Sequence, residues 1–118
     1  MTRANILALV VTIVFVAGVG VGAGFAGLMA WALALNGFMG REFIVNVSMF
    51  TYLGLTVILG LLSVAFAALT THRLAVRSRW NSVGASALSI VIFSIFVCVA
   101  HLVCVIISAL VASLLWKI

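Results

Sequence analysis

The sequence predicts an all-α membrane protein with three transmembrane helices, arranged up-down-up in a bundle with short loops. Hydrophobic residues make up 68% of the 118 residues, charged residues make up 6%, and the mean hydropathy is +1.53. An ordinary soluble domain is about half apolar and about a quarter charged. Because these few charged side chains could not cover the surface of a folded chain in water, we expect lipid to be its solvent.

Three apolar blocks define the predicted spans, at about residues 6–35, 43–70 and 83–116. Each is free of Asp, Glu, Lys and Arg, and each exceeds the ~20 residues that a helix needs to cross a bilayer. There is no proline to force a break. We therefore expect residues 1–118 to form a single transmembrane domain, with a turn around Asn36-Gly37 between the first two helices.

The first block is long enough to raise an alternative with four spans. A break at its glycines would leave halves of about 15 residues, which are short for a span and have no polar turn between them. Gly20, Gly24 and Gly27 recur at intervals of four and three residues. Because membrane helices associate closely through small residues, we expect these glycines at helix contacts.

Small and hydroxyl residues also form a stripe on each of the other two helices. In the second block the stripe contains Thr56, Gly60 and Ser63. In the third block it alternates by four and three residues, which is typical of the seam of a left-handed helix pair; its members are Ala87, Val91, Ser94, Cys98, His101, Val105, Ser108 and Ala112. Bulky residues off these stripes are expected to face lipid or a partner subunit, among them Leu59, Phe66, Phe93, Phe96 and Leu110.

The net charge of +5 predicts an orientation in the membrane and does not indicate nucleic-acid binding. Three spans place Arg3 and the basic 71–82 loop on one side, and the C-terminus on the other. The positive-inside rule predicts that the N-terminus and this loop are cytoplasmic, or on the matrix or stromal side of an organelle. Within the loop we expect lipid-headgroup contacts from Arg73, Arg77, Arg79 and Trp80.

His101 is an ionisable side chain deep inside a predicted span, which makes it a functional hypothesis. The first interpretation is a neutral histidine bonded to another helix, for example at Thr56 or Ser63. The second is a haem or chlorophyll ligand, and a proton-relay or metal role is a further alternative. His72 is ~27 Å away along the helix axis, so a bis-histidine haem would need a histidine from another chain. No cofactor is expected by the first interpretation.

No catalytic motif is recognisable in the sequence, so we do not expect an enzyme. The favoured hypothesis is a non-catalytic small integral-membrane subunit, or an assembly or stabilising factor, of a larger multi-subunit membrane complex. A small homo-oligomeric channel or transporter is the alternative, and a subunit holding haem or chlorophyll through His101 is the second alternative. The expected partners are membrane lipids and other integral-membrane subunits; no nucleic acid and no soluble substrate are inferred.

Overall fold

The computed structural model describes residues 2–34 and 41–117, and within these ranges it contains three helices and no strand. They are α1 (Arg3–Ala34), α2 (Glu42–Val76) and α3 (Ser82–Trp116). Each helix is long and apolar enough to cross a membrane. The predicted three-span membrane fold is confirmed for this part of the chain; the predicted turn at Asn36-Gly37 lies outside the described residues.

The helices are longer than the hydrocarbon layer. They contain 32, 35 and 35 residues, or about 48–52 Å at 1.5 Å per residue, against ~30 Å of hydrocarbon. The described molecule measures 56 by 19 by 16 Å. The helix ends therefore extend beyond the hydrocarbon.

The expected 71–82 loop is mostly helical. Residues 71–76 contain neither glycine nor proline, and α2 continues through them to Val76. The chain then reverses at Arg79, which has a left-handed backbone with φ of 54°. The Trp80 N–H donates to the Leu74 carbonyl at 2.9 Å, and Asn81 begins α3 by accepting from the Val83 N–H at 3.0 Å.

Side-chain contacts at the two ends show that α1 and α3 run in the same direction and α2 runs opposite to them. At one end, Ser82 donates to the Asn5 side-chain oxygen at 2.7 Å. At the other end, the Arg41 guanidinium lies over the Trp116 ring, 4.5 Å from its centroid. The bundle therefore has the up-down-up arrangement.

Buried hydrogen bonds tie all three helices together near each end of the bundle. Towards the Asn5 end, the hydroxyl of Thr12 lies 3.1 Å from that of Thr71 and 2.9 Å from that of Ser86. Towards the Arg41 end, the Trp31 indole N–H donates to Ser48 at 2.9 Å, and Ser48 donates to the Ser108 carbonyl at 2.8 Å. These pairs satisfy polar groups that would be costly to leave unpaired in hydrocarbon.

Candidate functional site

Three glycines of α1, at positions 20, 24 and 27, form a row of recesses that receive larger side chains from the other helices. A Cβ added to Gly20 would lie 3.9 Å from Val97 of α3, and one added to Gly24 would lie 3.7 Å from His101. A Cβ added to Gly27 would overlap the hydroxyl of Tyr52 on α2. The contacts thus pair one small residue with one large residue.

Tyr52 joins α2 to α1 near the middle of the bundle. Its side chain is 1% exposed, and its hydroxyl donates to the Gly24 carbonyl at 2.8 Å. One turn along α2, the Thr56 hydroxyl donates to the Tyr52 and Leu53 carbonyls at 2.9 and 3.1 Å. Both hydroxyl protons in this region are therefore used within the protein.

A groove runs between α1 and α2 alongside these residues. It has a volume of about 480 Å³ and extends from Val16 and Val64 at one end to Leu28 and Tyr52 at the other. Its walls are mostly apolar side chains and glycines, together with Tyr52 and Thr56 of α2, and His101 is the residue that α3 contributes to its lining. Most of the lining belongs to the central turns of α1 and α2, so the groove lies at the level of the hydrocarbon.

His101 forms part of this lining while its side chain is only 5% exposed. Its Nδ1 lies 2.8 Å from the Val97 carbonyl, one turn earlier on the same helix. A carbonyl oxygen can only accept, so Nδ1 carries the proton, and in the neutral ring Nε2 is left as an acceptor. The bond to Thr56 or Ser63 on another helix that the sequence suggested is not formed; the carbonyl within α3 is already in reach.

The other predicted packing residues fall into two groups. Thr56, Ser63 and Ser108 are buried, and each hydroxyl donates to a carbonyl of its own helix. Gly60 is not at a close contact, because a Cβ added there would meet nothing within 4 Å; it lines the groove instead. Ser94 is partly buried with an unpaired hydroxyl oxygen.

The buried face of α3 differs from the predicted seam over the first half of the helix. Cys98, expected at a contact, is exposed, whereas Cys104 is buried. Ala87 and Val91 of the seam are also exposed, and the contacts are made by Ser86, Ser89 and Val97. Ser86 faces inward because its hydroxyl bonds to that of Thr12 on α1, and Val97 faces inward because it fills the recess at Gly20. The seam predicted from residue spacing on α3 alone is therefore wrong over this half of the helix.

Packing in the bundle also corrects two residues that were expected to face outward. Phe93 packs beside Val16, Ala67 and Val97, and Leu59 packs against the apolar cluster around Tyr52. By contrast, Phe66, Phe96 and Leu110 are exposed. Bulk alone therefore did not distinguish a core residue from a surface residue.

The basic residues are concentrated at one end of the bundle. Arg73, Arg77, Arg79 and Trp80 are all exposed there, and Arg3 at the start of α1 lies at the same end. The opposite end carries Arg41, Glu42 and Lys117. This asymmetry places four cations, Arg3, Arg73, Arg77 and Arg79, at one end of the bundle.

Sequence reasoning missed the polar residues that join the helices. Thr12, Trp31, Ser48 and Tyr52 were not identified, although Ser48, Tyr52 and Thr56 recur every four residues. That interval was the available signal, because it places polar side chains on one side of α2. Gly60 was predicted at the contact face because it is small, whereas the bulky Tyr52 makes the contact with α1.

Comparisons with known proteins add no relative: no protein-family model matches this sequence, and neither does any curated protein or solved structure.

Proposed function

We propose that this chain is a non-catalytic small integral-membrane subunit, or an assembly or stabilising factor, of a larger multi-subunit membrane complex. The support comes from the distribution of its described residues between helices and connecting segments. Three spanning helices contain nearly all of the described residues, and only residues 77–81 connect α2 to α3. Partners of such a chain meet it mainly through helix faces in the membrane plane.

One outward face of α1 carries this proposal. Phe25, Met29 and Leu33 recur every four residues, with 68%, 72% and 78% of each residue exposed. They form a continuous bulky stripe, which we name the α1 outer stripe. A partner helix packed on this stripe would gain dispersion contacts along more than two turns.

For the orientation, we propose that the end with Arg3, Arg73, Arg77 and Arg79 is cytoplasmic, or on the matrix or stromal side. The support is the excess of cations at that end over the end with Arg41, Glu42 and Lys117. Exposed Trp80 suits the headgroup layer, and the neighbouring arginines suit anionic lipid.

The two alternatives draw less support. A channel needs a polar path, but Thr56, Ser63 and Ser108 turn their hydroxyl protons to carbonyls of their own helices. A haem or chlorophyll at His101 is favoured by one observation, the Nδ1–H bonded to a carbonyl, which is how metal-ligating histidines are usually oriented.

The test is purification of the tagged chain from its native membrane in mild detergent, followed by native mass spectrometry and an ultraviolet–visible spectrum. We expect heterologous membrane proteins at fixed stoichiometry and no pigment band. The double variant Met29→Ala/Leu33→Ala should lose the partners, whereas Leu102→Ala/Ile106→Ala, at two exposed residues of α3, should keep them. A ring of this chain alone would favour the channel, and a Soret or chlorophyll band would favour the pigment subunit.

A further inference from the structure

We propose that the groove between α1 and α2 binds a neutral lipophilic molecule whose hydroxyl group donates a hydrogen bond to His101 Nε2. This site does not depend on the proposed role as a subunit, because it is formed by one chain alone. The ligand class is an alcohol or phenol on an apolar body.

His101 presents a free acceptor on a buried ring. His101 is 95% removed from solvent, as its exposed fraction is 5%, and its Nδ1–H is engaged by the Val97 carbonyl. Within the described ranges, no group donates to Nε2. An acceptor without a partner is costly when it faces hydrocarbon, so a donor from outside the chain would stabilise it.

Helix α1 does not block this acceptor. A Cβ at Gly24 would lie 3.7 Å from Nε2 and 3.9 Å from the adjacent ring carbon Cδ2. An atom on the axis of the Nε2 lone pair would be clearly farther from Cδ2 than from Nε2. The two distances from the added Cβ are instead nearly equal. Gly24 therefore lies off the lone-pair axis. Nε2 is not among the fully buried unpaired atoms of the described residues, so it retains accessible surface, and His101 lines the groove.

The residues lining the groove offer hydrogen-bond acceptors and no free hydrogen-bond donor. The Tyr52 and Thr56 hydroxyl protons are committed to backbone carbonyls, and Nδ1–H of His101 is committed to Val97. None of the residues lining the groove is charged. The matching ligand is therefore neutral and supplies the hydrogen-bond donor itself.

The position and volume of the groove limit which ligands can enter it. The groove lies at the level of the hydrocarbon, so its ligand enters from the lipid and must partition there. A volume of about 480 Å³ falls within the ~300–1,000 Å³ range of small-molecule pockets. Gly20 and Gly24 line the α1 wall, and Gly60 keeps the α2 wall open, since a Cβ there would meet nothing within 4 Å.

A haem suits this groove less well than a neutral alcohol. Haem carries two carboxylates, and the lining has no arginine or lysine to pair with them. A hydroxyl needs a single acceptor, which Nε2 provides.

The experiment uses the full chain, labelled with ¹⁵N-histidine, in phosphatidylcholine nanodiscs. The sequence contains two histidines, so His101 gives one of two signal sets and His72 serves as the reference. The probes are a long-chain 4-alkylphenol and its methyl ether, which share the apolar body but differ in the donor. We expect the phenol to move the Nε2 signal of His101 and to bind roughly two- to tenfold more tightly than the ether.

Variants separate the groove from the surrounding lipid surface. Gly60→Leu fills the groove and should abolish binding of the phenol. Gly54→Leu is its matched control, because a Cβ at either glycine meets nothing within 4 Å but Gly54 lies outside the groove; it should bind as the original chain does. His101→Leu should bind phenol and ether equally.

A second set of ligands identifies the source of the hydroxyl. An isoprenoid quinol presents a phenolic hydroxyl, and a sterol presents an alcohol. Whichever of the two binds more tightly identifies the source of the hydroxyl. The corresponding quinone lacks the donor and should bind like the ether.

Four results would overturn the site. The first is equal binding of phenol and ether to the original chain, and the second is unchanged phenol binding by Gly60→Leu at an unchanged melting temperature. The third is a pigment band in the chain purified from its native membrane. The fourth is failure of a native complex to bind the phenol that the isolated chain binds. The last would mean that a partner helix fills the groove. Loss of partner subunits in the pull-down would not affect this test, so the two proposals fail separately.

Discussion

Replacing Gly27 by alanine gives the most direct test of the small-with-large packing. The added Cβ would overlap the hydroxyl of Tyr52 and lie 3.2 Å from its Cζ. Tyr52 is buried and its hydroxyl is bonded to the Gly24 carbonyl. The ring must move, and the interhelix hydrogen bond must lengthen or break.

Three contributions set the size of the effect. Overpacking costs about 1–3 kcal/mol, and loss of an interhelix membrane hydrogen bond adds about 0.6 kcal/mol. The better helix propensity of alanine returns up to about 1 kcal/mol. We therefore expect Gly27→Ala to lower the free energy of unfolding by roughly 0.6–3.6 kcal/mol.

The assay is reversible unfolding in mixed micelles as the fraction of denaturing detergent rises. Gly22→Ala is the control, because Gly22 is exposed on the same helix and a Cβ there meets nothing within 4 Å. The expected order of stability is Gly22→Ala above Gly27→Ala, and equal stability would refute the packing argument.

A double-mutant cycle identifies the group responsible. Tyr52→Phe removes the hydroxyl that the new Cβ would overlap, so Gly27→Ala should cost at least ~1 kcal/mol less in that background. An identical cost in both backgrounds would show that the Tyr52 hydroxyl is not the obstacle.

Three further predictions follow from the same bundle. Single cysteines at Ser78 and Lys117, in a chain without its native cysteines, should be labelled from opposite sides of the membrane by an impermeant reagent. Leu59→Ala should lower the free energy of unfolding by about 1–2 kcal/mol, since Leu59 packs against the core, whereas Gly60→Leu should change it by less than ~0.5 kcal/mol. Ser48→Ala should cost about 1–3 kcal/mol, because it leaves the buried indole N–H without its acceptor.

The same unfolding assay provides the controls. Thr51→Ala removes a hydroxyl bonded only to the Val47 carbonyl of its own helix, so it should cost less than Ser48→Ala. Equal costs would argue against the bridge from Trp31 to α3. Labelling of both cysteines from one side would rule out the three-span arrangement.

His101 shows how far sequence reasoning reached at the candidate site. Its depth in the third span was evident from the apolar residues on both sides, and its contact face was predicted from the stripe that contains it. The hydrogen bond to Val97 and the open Nε2 were not predictable. They depend on the ring orientation, which Gly24 of another helix helps to set.

The sequence by itself determined the solvent, the number of spanning helices, their approximate limits and the charge asymmetry between the two ends. These properties depend on composition along the chain, because any sufficiently long apolar segment must form a helix in hydrocarbon. Only the tertiary structure decided that Cys104 and Phe93 face inward while Cys98 and Gly60 do not make close contacts. Lipid accepts small and large apolar side chains alike, so a contact face is decided by the complementary side chain on another helix.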